Sequence, residues 1–344
     1  MLPDAPSHRI LIVSDAWHPQ VNGVVRTMTT VVCELKAMGH VVDVIGPDRF
    51  CTVPCPTYPD IALSILPRRT LVRMIKDFEP DALHIATEGP LGQAARRWAL
   101  RTGFRFTTAF HTRFAEYLHA RTRIPVRPVY AWMRRFHDAG AGTMVATRSL
   151  QDELTSRGFS HVRPWSRGVD LSLFKPEPRE NWELPRPIFT YVGRVAVEKN
   201  IGAFLDLELP GSKVVVGGGP QLASLRREYP VVTFTGPRFG EALARAYAGS
   251  DVFVFPSLTD TFGLVILESL ACGTPVAAFP VTGPKDVLGG AVGCVGAINT
   301  DLRQAALDAL HADRTACRAH AERYSWRACA ELFLSHLMPL REAS

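Results

Sequence analysis

The chain repeats one rhythm twice, and that rhythm decides its fold class. The run RILIVSD at 9–15 is followed by a Gly-containing loop, the amphipathic stretch 24–38 and the run VVDVIGP at 41–47. Gly39 stands where a helix ends on a left-handed residue. Further β-branched or apolar runs fall at 82–86, 105–109, 143–146 and 161–165. A segment near 170–186, rich in proline and charge, breaks the pattern; it then resumes at 187–193, 213–219, 231–236, 252–256 and 275–279. Strands alternating with helices need crossover connections, and those produce a parallel sheet covered on both faces. The expected fold is α/β, with two doubly wound, Rossmann-like domains joined by a linker. Ligands of such sheets bind outside the carboxyl ends of the strands, so a central cleft faced by both domains is the expected site.

A length of 344 residues suits two domains of this kind, and 47% hydrophobic against 21% charged residues can fill both cores. No apolar run reaches the roughly 18 residues of a membrane span. MLPDAPSHRILIVSD lacks a basic start followed by an apolar stretch, so a cytoplasmic location is expected. The seven cysteines include no CxxC pair, and Cys51 and Cys55 in CTVPC have no second Cys or His pair near them. They read as reduced thiols rather than a zinc site.

Charge is unevenly placed. Ten arginines and a single acid, Glu116, lie between Arg96 and Arg135, interleaved with Trp98, Phe104, Phe106, Phe110, Phe114, Tyr117, Tyr130 and Trp132. A basic, aromatic stretch suits an anionic membrane surface, where rings bury and each cation adds about 1 kcal/mol. A solvated arginine-rich face fits the same composition. No nucleic-acid-binding motif accompanies the stretch, so a nucleic-acid partner is not expected.

The densest cluster of candidate chemistry is TDTFGLVILESLACGTPVAAFPVTGP at 259–284. It leaves a strand, turns, and opens a helix near Phe262 and Gly263 that Gly273 and Pro275 close. Amides at such a start, here Thr261, Phe262, Gly263 and Leu264, form an anion site backed by the helix dipole. Asp260 lies at the loop tip, where a carboxylate can reach sugar hydroxyls, and Glu268 lies where one can accept from ribose hydroxyls. Taken alone, the two acids are equally a helix-start acid and a surface residue.

This segment resembles the E-x7-E signature of the retaining GT-B glycosyltransferases of family four, with Asp260 in place of the first Glu. YVGRVAVEKN at 191–200 is similar to that family's G-R-x-x-x-E-K-N element, which implies a diphosphate clamp of Arg194 and Lys199 beside Gly193. VGGGP at 216–220 resembles its V-G-x-G-P turn, implicating Gly217, Gly219 and Pro220 near the nucleotide. SRGVD at 166–170 resembles its N-G-V-D element, taken as structural. HPQVNGVVR at 18–26 is similar to the loop that carries Gly-Gly after the first strand; Asn22 and Gly23 occupy that place, and both residue types tolerate positive φ. AFHTRF at 109–114 sets His111 where the family carries a histidine that hydrogen-bonds the donor sugar.

The resemblance implies a GT-B enzyme with an acceptor domain at 1–172, a donor domain at 173–324, and a final helix from 325 that packs back on the first domain. It implies transfer of a hexosyl unit from a UDP- or GDP-sugar with retained configuration. No D-x-D motif is present, so no metal and no cofactor are expected; the nucleotide-sugar is a co-substrate. The acceptor suggested by the basic aromatic stretch is a membrane lipid such as diacylglycerol, with peripheral attachment to the inner face of the membrane. A mannosyltransferase acting on a soluble glycan is the alternative, and a nucleotide-sugar-binding scaffold is a third. A nicotinamide dehydrogenase is disfavoured because no G-x-G-x-x-G opens the first helix.

Overall fold

A computed structural model describes residues 7–20, 22–55, 58–176 and 178–337. It separates into two compact units, one running to Arg167 and rejoined from Trp326, the other spanning Gly168–Ser325.

In the first unit β1 (Arg9–Val13) leads through α1 (Gly23–Ala37) to β2 (Val41–Ile45). A hairpin of β3 (Thr52–Cys55) and β4 (Tyr58–Ser64) and the helix α2 (Arg68–Phe78) then reach β5 (Ala82–Ile85). Next come α3 (Pro90–Thr102), β6 (Phe106–Phe110), α4 (Phe114–Thr122), α5 (Val126–His137), β7 (Gly142–Val145), α6 (Arg148–Ser156) and β8 (Val162–Pro164). The main sheet is parallel in the order β2-β1-β5-β6-β7-β8. Alternate residues of β1 feed opposite cores: Ile10 and Ile12 pack with α1, Leu11 and Val13 with α2 and α3. This is why the strand reads as a continuous apolar run. The hairpin escapes the sequence pattern because Pro54 interrupts it and Thr52–Pro54 are exposed, so no alternation marks it.

The second unit begins with β9 (Ile188–Val192), α7 (Gly202–Leu205), β10 (Ser212–Val216), α8 (Leu222–Glu228) and β11 (Thr233–Gly236). It continues with α9 (Gly240–Gly249), β12 (Val252–Phe255), α10 (Leu264–Ala271), β13 (Val276–Ala278) and α11 (Thr282–Leu288). The last elements are β14 (Gly296–Ile298), α12 (Leu302–Ala309) and α13 (Arg314–Ala321). This sheet is parallel too, ordered β11-β10-β9-β12-β13-β14. β14, only three residues of GAI, carries no run that would announce it.

The division at Arg167 falls ahead of the expected residue 172 because the intervening turn is held by the second unit. The Val169 N–H donates to Tyr324 O at 3.2 Å. Arg318 Nη1 donates to Phe174 O at 2.7 Å, and Phe174 meets the Tyr247 ring edge-on. The final helix, α14 (Trp326–Leu337), packs beside α1 in the first unit, burying Ala330, Phe333 and Leu337. It is pinned by Trp165 Nε1 donating to Cys329 O at 3.1 Å and His336 Nε2 donating to Pro164 O at 2.8 Å.

In the first sheet the strand order reverses between β1 and β5, and one buried carboxylate occupies that point. Asp15 Oδ1 accepts from Leu91 N at 2.8 Å and Oδ2 from Gly92 N at 3.2 Å, while Thr87 Oγ1 donates to Oδ2 at 3.0 Å. The chain's own acid therefore fills the anion position at the start of α3. Burial pushes the Asp15 carboxyl up to about 6 from 3.8, against the opposing amide bonds. The folded state thus holds this proton more tightly than the unfolded one, and stability contributed by Asp15 falls as pH rises from about 4 to about 6. Unfolding of the Asp15→Asn variant is expected to lose that slope, worth at most about 3 kcal/mol. A denaturant series at pH 4.5 and 6.5 checks this; equal pH dependence in both proteins would contradict it.

Candidate active site

In the second sheet the order reverses between β9 and β12, and two loops leave side by side there. The β9 loop carries Gly193, Arg194, Lys199 and Asn200; the β12 loop carries Ser257 to Gly263. Lys199 Nζ meets Asp260 Oδ1 at 2.5 Å, both side chains largely shielded from solvent. Asn200 Nδ2 donates to Pro256 O at 3.0 Å, and Thr259 Oγ1 donates to Glu198 O at 3.2 Å. Asp260 Oδ2 is buried with no hydrogen-bond partner among the described residues. One oxygen of this carboxylate is fixed by a cation, and the other remains as an acceptor.

Glycine is required where the β9 and β10 loops cross. A Cβ on Gly217, whose φ is +157°, would lie 1.8 Å from Gly193 O, and one on Gly219 would lie 2.4 Å from Val195 O. The crossing is closed by Gly193 N donating to Val216 O at 3.0 Å and Val195 N donating to Gly218 O at 2.9 Å. Arg194 and Pro220 lie on this turn, and Arg194 O accepts from Tyr191 Oη at 2.7 Å.

Helix α10 is preceded by Gly263 at φ +82° with no side-chain cap, so the amides of Gly263 and Leu264 lie at the positive end of its dipole, with Thr261 and Phe262 in the turn before it. Phe262 anchors the turn, buried and edge-on to Tyr324. Gly283 approaches it so closely that a Cβ would lie 2.6 Å from Phe262 O. Glu268 is placed differently from the other predicted residues. It is 2% exposed, and its Oε2 accepts from Tyr247 Oη at 3.2 Å. Every residue of Ile266–Ala271 is buried, so this carboxylate lies along the fully packed part of α10.

The predicted residues of the first unit form their own groups. Asn22 does not use positive φ: at φ −154° it caps α1, its Oδ1 accepting from Val24 N and Val25 N at 3.0 Å each. Gly23 is the first residue of that helix. The tolerance of Asn for positive φ is not drawn on, because an extended cap residue leaves the side chain free to bond the first amides.

His111 follows β6. The Arg167 guanidinium, 4% exposed, lies beside it, with Nη2 at 3.5 Å from His111 Nδ1. Arg167 Nη1 donates to Trp165 O at 2.6 Å and Ser166 O at 3.1 Å, and its Cζ sits 4.1 Å from the Trp165 ring centre. Burial, then the Arg167 charge and the neighbouring His84 and His137, hold the His111 imidazole well below its ordinary range. Burial also brings Arg167 down to about 10, still protonated at neutral pH. The SRGVD element had marked this arginine as structural only; its contact with His111 depends on the close of β8 and leaves no mark in spacing.

Several rings of the basic aromatic stretch, and a few of its guanidinium groups, are spent on internal contacts. Phe106, Phe110 and Tyr130 are core. Arg113 pairs with Glu153 at 2.6 Å, Arg96 donates to the carbonyls of Phe136 and Arg135, and Arg134 to that of Arg157. Among the described residues, Arg97, Arg101, Arg105, Arg123, Arg127, Arg134 and Arg135 face solvent, and so do Leu100, Phe114, Ile124 and Trp132, each more than 40% exposed. The Phe114 and Trp132 rings lie 6.4 Å apart, joining α4 to α5. Among the described residues no helix is long and apolar enough to cross a membrane, and no group of three or more His, Cys, Asp or Glu is placed to hold a metal ion.

With this geometry in place, the chain can be set beside known proteins. It matches Glycosyltransferase Family 4 over residues 21–173 and Glycosyl transferases group 1 over residues 186–312. It is 32% identical over 307 residues to a GDP-mannose-dependent alpha-mannosyltransferase of Mycobacterium tuberculosis, covering 81% of each chain. It is 28% identical to the alpha-monoglucosyldiacylglycerol synthase of Streptococcus pneumoniae, over 78% of this chain and 70% of that one. Among solved structures, sucrose-phosphate synthase from Thermosynechococcus elongatus shares the fold at a TM-score of 0.74 and 21% identity, covering 95% of this chain and 97% of that one.

The loop crossing yields a direct test of the site's framework. Gly217→Ala is expected to destabilise the protein by about 1–3 kcal/mol. Gly290→Ala, where an added Cβ meets nothing within 4 Å, is expected to be neutral. Thermal unfolding of the two variants measures the difference; equal melting temperatures would contradict the crossing.

Proposed function

The chain belongs to the family-four glycosyltransferases and uses nucleotide-sugar donors; on that premise we propose that it transfers a hexosyl unit with retained configuration to a membrane lipid such as diacylglycerol. The observation that carries the donor half is the Lys199–Asp260 pair at the strand reversal, with Asp260 Oδ2 buried and unpartnered among the described residues beside an uncapped helix start. In this reading the donor diphosphate rests on Arg194, Lys199 and the amides of Thr261, Phe262, Gly263 and Leu264. A planar fork, a point charge and aligned dipoles suit phosphate oxygens. Gly193, Gly217, Gly219 and Pro220 let the backbone pass close to the nucleotide. Asp260 Oδ2 accepts from a hydroxyl of the donor sugar. Glu268, its Oε2 held by Tyr247, is assigned to the ribose, and Asn22 and Gly23 to donor binding. His111 donates to the sugar.

The acceptor hydroxyl attacks the anomeric carbon on the face the diphosphate leaves. The carbon–oxygen bond to the β-phosphate breaks, and that phosphate takes the hydroxyl proton. Developing negative charge on the leaving group is met by Arg194, Lys199 and the helix amides rather than by a metal ion. Transfer is therefore expected to survive excess EDTA.

The acceptor half rests on the exposed Phe114, Ile124 and Trp132 flanked by Arg123, Arg127 and Arg135. Rings of this kind bury at a lipid interface while guanidinium groups stay with anionic headgroups. The S. pneumoniae relative is named for the synthesis of a glucosylated diacylglycerol, which supports a lipid acceptor here. A soluble glycan acceptor would use the same arginines for anionic groups and leave the rings without a role.

A panel of UDP-, GDP- and ADP-sugars with membrane lipid extract, read by mass spectrometry, tests both halves. Asp260→Asn is expected to lower kcat about 100-fold, and Lys199→Ala to raise donor KM about tenfold. Trp132→Ala with Arg127→Glu is expected to abolish sedimentation with anionic vesicles while leaving donor hydrolysis intact. Unchanged kinetics in both site variants would remove the donor assignment, and sedimentation indifferent to anionic lipid would remove the acceptor assignment.

A further inference from the structure

Arg167 is a buried cation whose contacts among the described residues are all neutral: two backbone carbonyls, the Trp165 ring and His111 Nδ1. No carboxylate pairs with it among the described residues. Taking a guanidinium out of water without a counter-ion is costly, so its placement calls for a reason.

The contact with His111 supplies one. A guanidinium has five donors and no acceptor. When its Nη2 faces His111 Nδ1, that nitrogen must present its lone pair, and the ring proton must sit on Nε2. We propose that Arg167 is the positioning residue of His111, fixing its imidazole as the neutral Nε2–H tautomer so that it acts as a hydrogen-bond donor and not as a base. The inference rests on the reading above that His111 faces the donor sugar.

The groups around the ring agree. Trp165 meets it edge-on, with centroids 5.8 Å apart. His84 and His137 are the other titratable groups whose charge acts on it, and both disfavour a second proton, as Arg167 does. His84 is itself brought down to about 3 by burial. His137 is committed elsewhere, with its Nδ1 at 2.8 Å from Thr108 Oγ1 and its Nε2 at 3.0 Å from Glu88 Oε1. His111 therefore has neither nitrogen available as a base: Nδ1 is occupied by Arg167 and Nε2 carries the proton. The acceptor's proton must leave by another route, which in the reaction above is the departing β-phosphate.

Long-range proton–nitrogen correlation spectra of the full-length protein test this, with His111→Gln identifying the signal. Wild type is expected to show a protonated Nε2 and an unprotonated Nδ1 from pH 5.5 to 8. Arg167→Met is expected to move the proton partly to Nδ1 and raise the His111 pKa into that range. Its kcat should fall about tenfold with donor KM nearly unchanged, and a new acidic limb should appear in the kcat profile. Arg167→Lys, which keeps a donor and a charge, should restore the tautomer. A wild-type ring protonated on Nδ1, or a Met variant with the wild-type spectrum, would overturn the proposal. Should Arg167→Met not fold, the wild-type and Arg167→Lys spectra still decide. If no donor supports transfer, the transferase reading fails, whereas the tautomer is read without substrate.

Discussion

Reversal of strand order in a parallel sheet makes two neighbouring loops leave in different directions, and the crevice between them is where a ligand can reach backbone amides. In the second unit the reversal lies between β9 and β12. What binds the two loops together is the contact of Lys199 with Asp260, backed by Asn200 on the Pro256 carbonyl and Thr259 on the Glu198 carbonyl. The same arrangement orients the free oxygen of Asp260 and sets it beside the start of α10. The glycines of the β9 and β10 loops complete the floor, because no side chain fits where their backbones cross.

The first unit has the same kind of reversal, between β1 and β5, and treats it differently. There Asp15 satisfies the first amides of α3 from within the chain, so an external anion at that point would meet a carboxylate. The two sheets thus differ at equivalent points: in the first an acid accepts from the helix amides, and in the second the acid is held by Lys199 and α10 has no side-chain cap. That contrast supports the proposal that the diphosphate rests on the second unit. In the first unit a cation lies against the His111 ring, the contact on which the proposed positioning of that imidazole rests.

The architecture was legible because both sheets are parallel and covered on both faces. β12, VFVF, is buried at every residue and appears in the sequence as an unbroken apolar run, while β6 and β9 are as fully buried with only threonines interrupting theirs. The β3–β4 hairpin and β14 were not legible, one because Pro54 and exposed side chains hide it, the other because three residues carry no period. The loop residues Arg194, Lys199 and Asp260 could be named from motif spacing, whereas their pairing could not. Asn22 was read for its tolerance of positive φ but caps α1 in an extended conformation. Asp15 and Arg167 passed unnoticed as site residues. Each acts on a group more than fifty positions away in the chain, and only the folded sheet brings them together.

Hydrogen–deuterium exchange of the full chain with and without a nucleoside diphosphate tests the assignment of the diphosphate most directly. Slowed exchange is predicted in 193–199 and 260–266, with 88–93 unchanged because Asp15 already holds those amides. Protection at the start of α3 without protection at the start of α10 would contradict it.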